Sequence, residues 1–161
     1  MLLTFSCSAH KEIPYEEMPY REEPTQQSES DFKNEISNKR KTIVQQAIKS
    51  VGLPYKWGGR SPKTGFDCSG LIAYTHEKAK MPMPRTAQEL FNKGKIVSKK
   101  HIQAADLVFF KNPKATSMFH VGIYVGKGAF VHAPGKGRKV GYGDLRNPYF
   151  KKHYIGSRNY F

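Results

Sequence analysis

Met118-Phe119-His120-Val121-Gly122-Ile123-Tyr124-Val125 and Ala129-Phe130-Val131-His132-Ala133, joined through Gly126-Lys127-Gly128, read as two apolar strands around a tight glycine turn. With the turn centred near residue 127, paired positions should sum to between 252 and 254. An even sum puts His120 and His132 on one face; an odd sum separates them. Outward from this hairpin, further strands are expected at 106–111, 139–142 and 153–159, which makes five in all.

The residues before it have helical character. Ile36, Ile43, Val44, Ala47, Ile48 and Val51 recur at helical spacing, and Gly52 and Pro54 close that run. Asp67-Cys68-Ser69 opens a second helix that runs towards Lys80, where Met81-Pro82-Met83-Pro84 breaks it. Thr86-Ala87-Gln88-Glu89 has the form of a capping box, and Gly94 ends the short helix it starts. Helices first and strands afterwards predict an α+β domain, with N-terminal helices packed on an antiparallel sheet of about five strands.

Charge divides the chain. Residues 1–37 hold eight acids against three bases; the rest hold 24 bases against five acids, within a total of +14. Such a field attracts polyanions: nucleic acid, anionic lipid or carboxylate-rich cell wall. No helix-turn-helix, zinc-finger or aromatic RNA-binding signature accompanies it, so nucleic acid is not expected as a partner. No stretch approaches the ~20 apolar residues of a membrane span. Two cysteines are too few for a disulfide framework or a zinc ribbon.

The expected division is therefore threefold. Residues 1–7 look like the end of a secretion signal, with Cys7 as a lipidation site. Residues 8–35, rich in glutamate, glutamine, serine and proline, read as an acidic tether. Residues 36–161 form the folded domain. That organisation predicts a cell-envelope protein, periplasmic and held to a membrane by lipid, with a secreted form as the alternative.

Cys68 is the only cysteine of the folded part, and it sits at a helix start, where free amides and the dipole favour a thiolate. With the two strand histidines it suggests a nucleophile (Cys68), a base (His120) and an orienting group (His132). Two satisfied core histidines beside an inert thiol, or a zinc site made from the three, are the competing readings. His10, His76, His101 and His153 read as surface residues.

Six stretches, in order, resemble the NlpC-type papain-like cysteine peptidases of bacterial peptidoglycan. They are Tyr55-Lys56-Trp57-Gly58-Gly59, Phe66-Asp67-Cys68-Ser69-Gly70-Leu71, Pro84-Arg85-Thr86, Asp106-Leu107-Val108-Phe109-Phe110, His120–Gly126 and Phe130–Ala133. Asn147–Tyr154 is similar to the Gram-negative lipoprotein branch. The resemblance implies a papain-like fold and hydrolysis of amide bonds in peptidoglycan stem peptides or cross-links through an acyl-enzyme. Cys68, His120 and His132 would be catalytic; Tyr55, Asp67 and Ser69 would bind substrate; neither metal nor organic cofactor is needed. Arg85 would be an anchor near the site, and Trp57 core or groove wall. Leu90 and Ala105 depart from the family's usual Gln and Gly. A catalytically silent wall-binding module, and an amidase or acyltransferase of the same fold, are the functional alternatives.

Overall fold

The computed structural model describes residues 26–111 and 119–161; Cys7, most of the expected tether and Met118 lie outside them. Helix α1 (Gln26–Lys49) is followed by a short ribbon, β1 (Arg60–Ser61) with β2 (Gly65–Phe66), and by helices α2 (Cys68–Glu77) and α3 (Ala87–Lys93). Strands β3 (Lys95–Val97), β4 (Leu107–Lys111), β5 (Phe119–Gly126), β6 (Ala129–His132) and β7 (Gly141–Asp144) come next, then helix α4 (Pro148–His153) and strand β8 (Tyr154–Asn159).

The main sheet is antiparallel with six strands, ordered β3-β8-β4-β5-β6-β7. The α+β class and the helices-then-sheet order match the sequence reading. The strand count is one higher, because Lys95–Val97 is too short to show a period and acquires its structure by pairing with β8. Strand β7 begins at Gly141, two residues later than expected, since Lys139 instead bridges to Pro54.

Alternation in the strands sorts the core into two layers. Leu107, Phe109, Val121, Ile123 and Val131 pack with Ile43 and Ala47 of α1 and Leu71 and Ile72 of α2. Val108, Phe110 and Phe130 face the other way, against Leu145 and Phe150. Arg40 ties α1 to the sheet through Asp106, at 2.9 Å, and Asp106 also accepts from Gln103 N and Asn159 Nδ2. Ala105, just before it, holds φ +72°, a conformation that glycine adopts without strain. Leu90 is fully buried in the core, which explains an apolar residue there.

Three local expectations are corrected. Helix α1 reaches back to Gln26, into the stretch read as tether; the pairs Glu29–Lys33 and Glu35–Lys39 suit one turn of helix. Ile36 is still the first side chain of α1 to be shielded among the described residues. His76 is not on the surface. It is fully buried, Nδ1 donates to the Ile72 carbonyl at 2.9 Å, and burial pushes it down to about 4. The apolar residues around its helix outnumber the polar signal of a single imidazole. Ile48, expected in the core, is 44% exposed.

Thr86 caps α3 through both arms of the expected capping box, and Gly94 closes the helix. The start of α2 is pressed against the loop before β1: a Cβ on Gly70 would overlap the Gly59 carbonyl oxygen. Gly70→Ala is expected to lower stability by about 1–3 kcal/mol, measured by urea unfolding of the whole chain, since backbone cannot yield as a flexible side chain does. A variant as stable as the parent would show that this close approach is not required.

Candidate active site

Asp67 builds the site. Its Oδ1 accepts from Gly70 N at 2.6 Å, which caps α2, and its Oδ2 accepts from Gly58 N at 2.9 Å, which anchors the Tyr55–Gly59 loop. Arg85 grips both oxygens, at 3.2 and 2.8 Å, and its Nη1 also donates to Ser69 Oγ at 2.8 Å. Ser69 Oγ in turn donates to Asp67 Oδ1. One carboxylate thus fixes the helix start, the loop and the guanidinium that crosses between them.

Cys68 follows as the first residue of α2, half-buried. It opens on a cleft of about 420 Å³ walled by Tyr55, Trp57, Asp67, Ser69, Arg85 and Phe119. All three residues expected to bind substrate therefore share a cleft with the thiol. Trp57 is groove wall and not core, at 72% exposed. A larger hollow of about 570 Å³ lies along α1 beside Lys33, Ile36 and Arg40, away from the cysteine.

The histidine pair follows from strand register. Ile123 pairs with Val131 and Tyr124 with Phe130, an even sum of 254. His120 and His132 therefore share a face, and His120 Nε2 lies 2.7 Å from His132 Nδ1. Phe110, Phe130 and Phe150 surround the pair. The sulfur of Cys68 meets the same strand at the Val121 amide, the residue next to His120. Among the described residues, no group of three His, Cys, Asp or Glu side chains closes on a common point as metal ligands would.

Electrostatics modifies one expectation. The Cys68 thiol is pushed up, first by burial and then by the Asp67 carboxylate, while amides of Val121, Ser69 and Cys68 itself pull the other way. The cap takes the Gly70 amide and sets negative charge beside the sulfur. Burial and the neighbouring His132 push His120 down to about 3; burial and the Arg138 guanidinium push His132 down to about 4. These influences favour a thiol and neutral imidazoles over a thiolate–imidazolium pair. Burial, then Cys68 and Asp67, raise the Tyr55 hydroxyl, which keeps it a donor.

Residues 52–159 match the NlpC/P60 family. The chain belongs to the NlpC/P60 family. Murein DD-endopeptidase MepH of Escherichia coli is 36% identical over 129 residues, 78% of this chain and 48% of that protein. Bifunctional muramidase/DL-endopeptidase CwlT of Bacillus subtilis is 43% identical over 115 residues, 71% of this chain and 34% of that one. The chain thus spans about half of MepH and a third of CwlT. An NLP/P60 family protein of Staphylococcus aureus, whose structure is described as similar to lipoprotein, superposes with a TM-score of 0.68 at 40% identity, covering 76% of this chain and 41% of that one. The NlpC/p60 domain of peptidoglycan hydrolase SagA superposes with a TM-score of 0.63 at 31% identity, covering 75% of this chain and 98% of that domain. These neighbours establish the papain-like form of the NlpC/P60 fold.

The buried thiol has a direct readout. In a Cys7→Ser background, alkylation of Cys68 by iodoacetamide should be slow at pH 7 and climb above pH ~9, the ordinary thiol range or higher. A flat, fast rate from pH 5 to 8, the mark of a thiolate–imidazolium pair, would overturn the neutral resting state.

Proposed function

We propose that this NlpC/P60 domain is a cysteine endopeptidase that hydrolyses amide bonds in peptidoglycan stem peptides or cross-links. The observation that carries the reading is the His120–His132 contact of 2.7 Å on the strand whose Val121 amide meets Cys68.

The chemistry follows from which nitrogen is engaged. His120 uses Nε2 towards His132, which leaves Nδ1 for the thiol proton. Nδ1 can accept only if Nε2 carries the ring proton, so Nε2–H donates to the lone pair of His132 Nδ1. As the Cys68 sulfur bonds to the substrate carbonyl carbon, its proton passes to His120 Nδ1. The carbonyl oxygen gains the negative charge, and the helix-start amides and the Tyr55 hydroxyl are the donors nearest to it. The C–N bond then breaks, and His120 gives its proton to the leaving amine. Water, deprotonated by His120, cleaves the thioester and regenerates the thiol. His132 steadies the imidazolium in both halves. Ser69 and the Arg85-bound Asp67 shape the cleft for the acyl portion of the stem, and Tyr55 lines the same cleft.

The separation of charge in the sequence supports the location. A strongly basic domain suits a wall rich in free carboxylates. An acidic stretch between Cys7 and that domain suits a spacer from a lipid anchor, with the protein working in the periplasm. Palmitate label that disappears in Cys7→Ser would agree with this; an unlabelled native protein would remove the anchor from the proposal.

Digestion of purified peptidoglycan, with muropeptides followed by mass spectrometry, tests the activity. Wild type should release new stem fragments and Cys68→Ala none, while His132→Ala should lower kcat/KM by about a hundredfold or more. A wild-type digest identical to the Cys68→Ala digest would favour a wall-binding module instead.

A further inference from the structure

The segment from Ala133 to Val140 crosses from the end of β6 to the start of β7, and carries Lys136, Arg138 and Lys139, all exposed. It is stitched to the loop that bears Tyr55. Tyr55 N donates to the Arg138 carbonyl at 2.9 Å, Gly52 N to Val140 O at 2.9 Å, and Val140 N to Leu53 O at 2.8 Å. Arg138 N closes a turn on Gly135 O at 3.1 Å. The backbone of Arg138 is therefore fixed beside Tyr55, at one end of the cleft. After burial, the positive charge of Arg138 is what lowers the basicity of His132. Among the described residues Arg138, like Arg60 and Arg158, has no carboxylate partner, whereas Arg40, Arg85 and Arg146 each have one; of the three that lack one, Arg138 is hydrogen-bonded through its backbone to the Tyr55 loop.

Position relative to the reaction gives this charge a meaning, and the argument rests on the peptidase reading above. His120 returns its proton to the leaving amine, so the leaving group lies over the histidines. The cleft walls that carry Trp57, Ser69 and Arg85 are then left for the acyl portion. We propose that Arg138 is a specificity-determining residue that binds a carboxylate on the leaving group, close to the scissile nitrogen. Residues of this class are amino acids joined through their amine and left with a free carboxyl group. A guanidinium recognises such a carboxylate through paired N–H donors, and a carboxamide in its place offers one acceptor and a mismatched NH₂.

The test uses the full chain and two forms of one stem-peptide substrate: the carboxylate nearest the scissile nitrogen is free in one and amidated in the other. Wild type is expected to favour the free acid by about tenfold in kcat/KM, the size of one charge-assisted contact. Arg138→Gln should bring that ratio close to one, Arg138→Lys should retain part of it, and Lys136→Gln should leave the ratio where it was. An equal loss on both forms in Arg138→Gln, the signature of an effect exerted only through His132, would overturn the proposal. So would a wild type that cuts both forms equally well. A wild type that cuts neither form would sink the peptidase reading, and this inference with it.

Discussion

The whole site depends on a single carboxylate. Asp67 caps α2, holds the Gly58 amide and pairs with Arg85 through both oxygens. Each of these contacts fixes an element that carries a cleft residue: the helix carries Cys68 and Ser69, the loop carries Tyr55 and Trp57. The same negative charge opposes ionisation of the sulfur one residue away. Arg85 moderates that cost by neutralising part of it. The arrangement gives precise placement in exchange for a thiol that stays protonated until a base removes its proton.

The second half of the site depends on strand parity. An even register across the β5–β6 hairpin puts His120 and His132 side by side, although twelve residues separate them. Gly122, opposite His132 in that register, has no room for a side chain, because a Cβ would come within 2.6 Å of the Phe130 ring. Phe130, Phe110 and Phe150 then enclose the pair in apolar surroundings. Burial among those rings contributes, with the neighbouring charges, to the depressed basicity of both imidazoles.

What could be read from the sequence was local, or local plus one turn. The capping box at Thr86 and the helix start at Asp67–Ser69 are decided within a few residues and stand as expected, and the short turn confined the hairpin sum to three values, of which 254 is found. Features fixed by distant partners were not legible. Strand β3 exists because β8 lies beside it, and the loop around Arg138 is placed by backbone bonds to residues more than eighty positions earlier. His76 looked polar and proved to be core, since burial in a packed helix is decided by neighbours from other elements. The thiolate expectation rested on the helix-start amides alone and left out burial and the neighbouring carboxylate, both of which raise the thiol.

The sheet ends in β3, three residues beginning with Lys95, on one side and in β7, Gly141-Tyr142-Gly143-Asp144, on the other. Both borders are short, and one carries a cation while the other alternates glycine with polar or aromatic residues. Neither offers the long flat ladder on which a second chain could add a strand. Copies of so basic a domain drawn together on any polyanion would otherwise be crowded against one another, and these clipped margins guard against self-templated aggregation.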